Sequence, residues 1–321
     1  MRVVFMGTPE FAVTILDRII REGHDVAAVV TTPDKPAGRG QHLKCSDVKL
    51  YALEHNLPVL QPERMKDENF VAQLQELHAD VFVVVAFRML PQVVYTIPPQ
   101  GTFNVHASLL PQYRGAAPIQ WAIINGEEKT GVTTFFLDEH TDTGAIIRQS
   151  EVEISNSDNG GTLHDKLMYA GAEIAINTLA DIENGNPHTV PQNSNEHIKP
   201  APKIFKEDML INWDDTAENI YNKIRGLSPY PTAFSRIRQL DNNGQETEKV
   251  MGIKIYQASV TNIQSVSKPG HIRIENNKKM IISTRNFDIS IENLQFEGKK
   301  RMPTEDFLSG FRNNNYTDYI F

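Results

Sequence analysis

The sequence predicts an α/β domain built on a mostly parallel sheet, followed by a small all-β domain. Three observations carry this. From residue 2 to about residue 183, apolar runs of strand length alternate with helical periodicities. Across residues 184–203 the composition turns to Asn, Pro and Ser and the periodicity disappears. Beyond it, after the helical stretch TAENIYNKIRGL, come short alternating runs such as VMGIKIYQASV, KMIISTR and FDISIENLQF, the pattern of an antiparallel barrel or sandwich. The expected boundaries are a first domain at 1–188, a linker at 189–206 and a second domain at 207–321.

In chain order, residues 2–6 form an apolar run that Gly7 breaks. Thr8-Pro9-Glu10 then reads as a helix start, with Thr8 as the cap and Pro9 in the first turn, and the helix stops at Gly23. DVAAVVTT is apolar enough for a strand buried on both faces, which completes a βαβ unit. The next segment, PDKPAGRGQHLKCSDVK, is too rich in Pro, Gly and basic residues to be regular, and exceeds the usual connection length. Helices are expected at 46–56 and 68–78, with a short strand at PVLQP between them. ADVFVVVAF, the most strand-like run, belongs in the middle of the sheet. A strand end at FNVH, a helix at 116–125, strands at GVTTFFLD and AIIRQSEVEI, and a long helix at 162–183 complete the domain.

Composition narrows the function classes. With 321 residues and 40% hydrophobic content, the chain can bury two ordinary cores. No run reaches the roughly 18–20 apolar residues of a membrane span, and MRVVFMGTP lacks a signal-peptide pattern, so a cytoplasmic protein is expected. The single cysteine, Cys45, excludes an intramolecular disulfide and a Cys cluster for zinc. The net charge of −8 argues against a protein that coats nucleic acid. Its distribution is uneven: residues 1–203 hold 16 basic and 25 acidic side chains and residues 204–321 hold 16 and 15, giving −9 and +1.

The chemistry concentrates between Phe103 and Gly144. Asn104 and His106 lie two apart in a strand-like run, so both leave the same face, and a small-residue loop follows, where sheet proteins place ligands. An Asn amide can hold a developing oxyanion and a His can donate or shuttle a proton. Asp142, in a polar turn downstream, can orient the His, accept a proton or fix a water. Together they suit acyl transfer to an amine without a covalent intermediate, since Cys45 is remote and Ser108 lacks a nucleophile-elbow context. GTPEF opens a helix after a strand but lacks the glycine fingerprint of a dinucleotide or ATP site. His106, Asp138, His140 and Asp142 lack a recognised metal-ligand spacing, and no metal is expected.

GTPEFA, PDKPAGRG, FNVHASLLPQYRGAAPIQWAIINGE and the D-x-x-x-DTG turn together resemble the methionyl-tRNA formyltransferase family, within the wider folate-dependent formyltransferases. The resemblance extends to KIFKEDMLINWDDTAENIYNKIRGLSPYP and so covers nearly the whole chain. It implies a Rossmann-like catalytic domain followed by an OB-like barrel that helps hold tRNA. It implies that Asn104, His106 and Asp142 are catalytic, that Ser108, Leu109, Leu110 and Pro111 border the site of 10-formyltetrahydrofolate, and that methionyl initiator tRNA is the acceptor. Under this reading Lys35, Arg39 and Lys44 in the long loop grip tRNA, with Arg39 falling on the family's loop arginine. Lys278-Lys279 and Lys299-Lys300-Arg301 are phosphate contacts or solvated turns. A monomer is expected, and an amino sugar or nucleotide is the neighbouring choice of acceptor. One segment departs from the family: AFRMLP stands where A-Y-G-x-x-L-P is common, so the folate contacts of Phe87, Arg88 and Met89 are open.

Overall fold

The structure, a computed structural model, describes residues 1–37, 42–185, 187–192, 197–241, 243–310 and 316–321, the side chains of Ala37 and His42 excepted. The chain divides into two compact units. One comprises Met1–Pro118, Lys129–Glu153 and His164–Pro202; the other comprises Ile119–Glu128, Ile154–Leu163 and Lys203–Phe321.

The elements of the first part of the chain are β1 (Arg2–Gly7), α1 (Glu10–Arg21), β2 (Asp25–Val30), β3 (Lys35–Ala37), β4 (His42–Lys44), α2 (Asp47–Glu54), β5 (Val59–Leu60), α3 (Glu68–Glu76), β6 (Val81–Val85), α4 (Gln92–Tyr95), β7 (Thr102–His106), α5 (Pro118–Ile124), β8 (Lys129–Phe136), β9 (Ile146–Glu153) and α6 (Gly160–Glu183). Seven of these strands form one sheet in the order β5-β2-β1-β6-β7-β8-β9. The first five run parallel, and β8 and β9 are antiparallel additions at one edge. The chain works outward from β1 to β5, then returns to lay β6 on the other side of β1. That reversal opens a crevice at the carboxyl ends of the strands, where open α/β sheets bind ligands. The fold is Rossmann-like.

Burial explains the arrangement. Every residue of β6 is buried, as its unbroken VFVVV run demands of a central parallel strand. Val4, Met6, Phe82 and Val84 pack on one face with Phe70, Leu74, Leu90 and Val94. Two expectations differ from what is found. Helix α1 begins at Glu10 with Pro9 as its N-cap and no side-chain cap, because Pro9 stays extended at φ −86°, ψ 175° and leaves Thr8 outside the helix. Within the segment read as irregular, β3 and β4 pair as a small antiparallel hairpin, Pro36 opposite Leu43, too short for alternation to reveal.

The second unit carries α7 (Lys206–Met209), α8 (Ala217–Gly226), β10 (Ala233–Leu240), β11 (Glu246–Gln264), β12 (Ile272–Glu275), β13 (Lys279–Ile282), β14 (Phe287–Phe296), β15 (Met302–Pro303), α9 (Thr304–Gly310) and β16 (Tyr316–Ile320). The strands run β12-β13-β14-β11-β10-β16, with β15 beside β14. A bridge from His271 to Tyr319, and the Ile320 amide donating to Gly270 O at 2.9 Å, bring the two ends of this sheet together. The result is a nearly closed, OB-like antiparallel barrel. Its core is the inward set Ile237, Ile253, Ile255, Ile289, Ile291 and Leu294, plugged by Ile220 and Ile224 of α8.

Candidate active site

The candidate site is built at the carboxyl end of β7, where the parallel part of the sheet gives way to the antiparallel strands. Asn104 pairs with Phe135 and His106 with Thr133 across β8, so both side chains leave the same face. The Asn104 amide makes no hydrogen bond among the described residues and is open to a ligand. His106 is held through one ring nitrogen and faces a carboxylate with the other. Its ring is buried, and Nε2 lies 2.9 Å from Tyr113 O. A carbonyl can only accept, so this contact assigns the proton to Nε2. Nδ1 then faces Asp142 Oδ2 at 3.9 Å, across a gap too long for a hydrogen bond.

Asp142 is aimed by its surroundings. Its backbone is left-handed, φ 56°, a conformation Asp tolerates better than most residues. Oδ2 accepts from the Gly115 amide at 2.9 Å. Gln192 Nε2 donates to Asp142 O at 3.0 Å and to Gly144 O at 2.8 Å, while its Oε1 accepts from Arg114 Nε at 3.1 Å and Nη2 at 2.5 Å. The chain Arg114–Gln192 thus ties the loop after His106 to the turn that bears Asp142. Residues 199–201, within the stretch expected as linker, run beside the same loop: Tyr113 N donates to Lys199 O, Ala201 N to Arg114 O and Ala117 N to Ala201 O. Gln192→Leu keeps the bulk but strands the Arg114 guanidinium and two carbonyls, so chemical denaturation should report a loss of about 1–3 kcal/mol.

The four residues expected to border folate follow His106 after a single residue, Ala107. Ser108 is fully buried, and its hydroxyl donates to Gln112 O at 2.7 Å. Leu110 is also buried; its amide donates to Thr133 Oγ1 at 3.1 Å and its carbonyl accepts from Gln149 Nε2 at 2.9 Å. Leu109 lies over Gly131, where an added Cβ would come within 2.5 Å of its Cδ2. Leu109 and Pro111 are the partly exposed members of the four. Thr133 and Gln149, supports that no motif singled out, hold this loop to the sheet.

A cavity of about 630 Å³ opens between the loops after β5 and β6, lined by Met65, Lys66, Met89, Leu90, Tyr95 and Glu139 among others. Glu139 belongs to the same turn as Asp142, which puts the cavity and the polar site on one loop. Of the basic loop residues, Lys35 and Lys44 sit opposite each other on the β3–β4 hairpin, both exposed. Two cations directly across a ladder repel, a cost that an anionic partner would relieve. Arg39 lies outside the described residues. In the barrel, Lys278 pairs with Glu305 at 2.7 Å and Arg301 stacks on Tyr256 at 4.2 Å. Among the described residues no three His, Cys, Asp or Glu side chains are grouped to hold a metal, and no helix is long and apolar enough to cross a membrane.

Comparison with known proteins decides the family. Residues 1–179 match the formyl transferase model and residues 203–312 the model of the formyl transferase C-terminal domain. A methionyl-tRNA formyltransferase of Flavobacterium johnsoniae is 51% identical over 310 residues, covering 97% of this chain and 96% of that one. This chain belongs to the methionyl-tRNA formyltransferase family. A second formyltransferase of that name, from Bacteroides fragilis, is 46% identical over 314 residues, covering 97% of this chain and 95% of its own. The formyltransferase fold recurs in the crystal structure of WlaRD, a sugar 3N-formyl transferase solved with dTDP and 5-N-formyl-THF. That structure aligns at a TM-score of 0.63 with 22% identity, over 94% of this chain and 99% of the other.

Proposed function

We propose that the chain transfers the formyl group of 10-formyltetrahydrofolate to the α-amine of methionyl initiator tRNA, with Asn104, His106 and Asp142 as the catalytic residues. The observation that carries the reading is the His106 ring pinned between Tyr113 O and Asp142, with an unengaged Asn104 amide on the same strand face. The amine attacks the formyl carbon, and the carbonyl oxygen becomes an oxyanion. The Asn104 amide stabilises that oxyanion, joined by His106 Nδ1 once it has taken up the proton that the attacking amine loses. The C–N bond to folate then breaks and the departing folate nitrogen gains a proton, with Asp142 and His106 as the groups placed to move it. Ser108, Leu109, Leu110 and Pro111 shape the folate side, the buried pair through the backbone and the other two by contact. The protein acts in the cytoplasm as a monomer, residues 1–188 supplying the chemistry and 207–321 helping to hold tRNA.

The acceptor is tested by offering purified protein 10-formyltetrahydrofolate with methionyl initiator tRNA and, in parallel, an amino-sugar nucleotide. Formylation of the tRNA supports the reading, and formylation of the sugar alone overturns it. The basic hairpin yields a further expectation. Lys35→Ala and Lys44→Ala should each raise KM for tRNA with kcat little changed, and should flatten the salt dependence of tRNA binding by about one unit of log–log slope per charge removed. Arg39→Ala is expected to act the same way.

A further inference from the structure

The loop after β6 is where the chain departs from its family's segment, and the geometry gives one residue there a specific task. We propose that Arg88 is a positioning residue for the folate co-substrate: its guanidinium ties the loop after β5 to the loop after β6 and so sets the width of the cavity between them. This rests on the formyl-transfer reading above.

Arg88 Nη1 donates to Glu63 O at 3.0 Å and Nη2 donates to Pro62 O. No carboxylate lies within ion-pair distance of it among the described residues. The guanidinium packs over the Phe87 ring, 5.6 Å from its centroid, and Nε is buried without a hydrogen-bond partner. Burial pushes this guanidinium's pKa down. A half-buried cation with no counter-charge is costly, and two successive carbonyls are what compensate it. The planar guanidinium aims one N–H at each carbonyl in a fixed geometry, which a lysine ammonium on its flexible stem does not preset.

The two tied segments are the two walls of the 630 Å³ cavity. Met65 and Lys66 follow Pro62 and Glu63 on one side, and Met89, Leu90 and Pro91 follow Arg88 on the other. Met65 and Leu90 are buried into the core, while Met89, 65% exposed, lines the cavity from the solvent side. The strand leaves β6 through Ala86, a non-glycine residue at φ 45°. Such backbone is strained and persists only where its surroundings fix it. The clamp two residues later is a fixing contact of that kind. A flat, partly apolar ring system suits the Met, Leu, Pro and Tyr lining, with Gln92, Lys66 and Glu139 to read its polar edge.

The test is steady-state kinetics of Arg88→Met and Arg88→Lys in the full-length protein, varying 10-formyltetrahydrofolate and methionyl-tRNA separately. For Arg88→Met, KM for the folate should rise by about tenfold or more while kcat and KM for tRNA stay within about twofold. Arg88→Lys, which keeps the charge and one hydrogen bond, should fall between the two and carries the test if Arg88→Met does not fold. A folded variant with unchanged folate KM overturns the proposal. So does an equal loss on both substrates with a lowered Tm, which marks a merely structural role. Wild-type protein that fails to formylate methionyl-tRNA would overturn the functional reading instead, a result distinct from either.

Discussion

Asp142→Asn is expected to leave a folded protein that binds both substrates and turns over about 10²–10⁴ times more slowly. The substitution preserves what the structure asks of the backbone. Asn accepts the left-handed conformation at φ 56° as readily as Asp, and its amide oxygen can still accept from the Gly115 amide, now at 2.9 Å from Oδ2. The Gln192 contacts go to the main chain of residues 142 and 144 and are untouched. What disappears is the negative charge 3.9 Å from His106 Nδ1. On the proposed mechanism, a proton placed on that nitrogen then has no counter-charge, and the oxyanion loses its cationic partner. Single-turnover kinetics at saturating substrates, beside equilibrium tRNA binding, separate this from a binding defect. Near-normal turnover would remove Asp142 from the catalytic assignment.

Gly144→Ala is expected to be the most damaging small substitution in the site. A Cβ at this position would stand 1.6 Å from Phe136 O and 2.9 Å from Phe136 C, both main chain of β8. Neither can retreat without breaking the ladder, since Phe136 N also donates to Ala145 O at 3.0 Å. The turn that aims Asp142 must therefore move away from the sheet. A loss of more than about 3 kcal/mol in unfolding free energy is the expected result, together with turnover at least as low as that of Asp142→Asn. Urea denaturation and the formylation assay measure both. Wild-type stability in this variant would mean that the turn is not packed against β8 as described.

The sequence was legible where a local rule decides the structure. Asn104 and His106 share a face because strand periodicity is two, and the VFVVV run could only be a central strand. Asp138-x-x-x-Asp142-Thr-Gly144 announced a turn with acidic side chains. What was hidden depends on residues far apart in the chain. Gln192 falls in an Asn- and Pro-rich stretch without periodicity, yet it holds the carbonyls of residues 142 and 144. Thr133 and Gln149 look like ordinary strand residues until they are seen under the Leu110 peptide. Residues 119–128 and 154–163 belong by their contacts to the second unit, a division that no change in composition marks. The β3–β4 hairpin is only three residues on each side, too short for a pattern to emerge above its Pro and Gly content.

The central claim is tested most directly by following a radiolabelled formyl group. Purified protein is mixed with labelled 10-formyltetrahydrofolate and methionyl initiator tRNA, and the reaction is quenched through a single turnover. The account predicts label in N-formylmethionyl-tRNA in step with tetrahydrofolate release, with no labelled protein at any time and almost no transfer in the His106→Ala variant. Label trapped on the protein, or undiminished transfer by that variant, would contradict it.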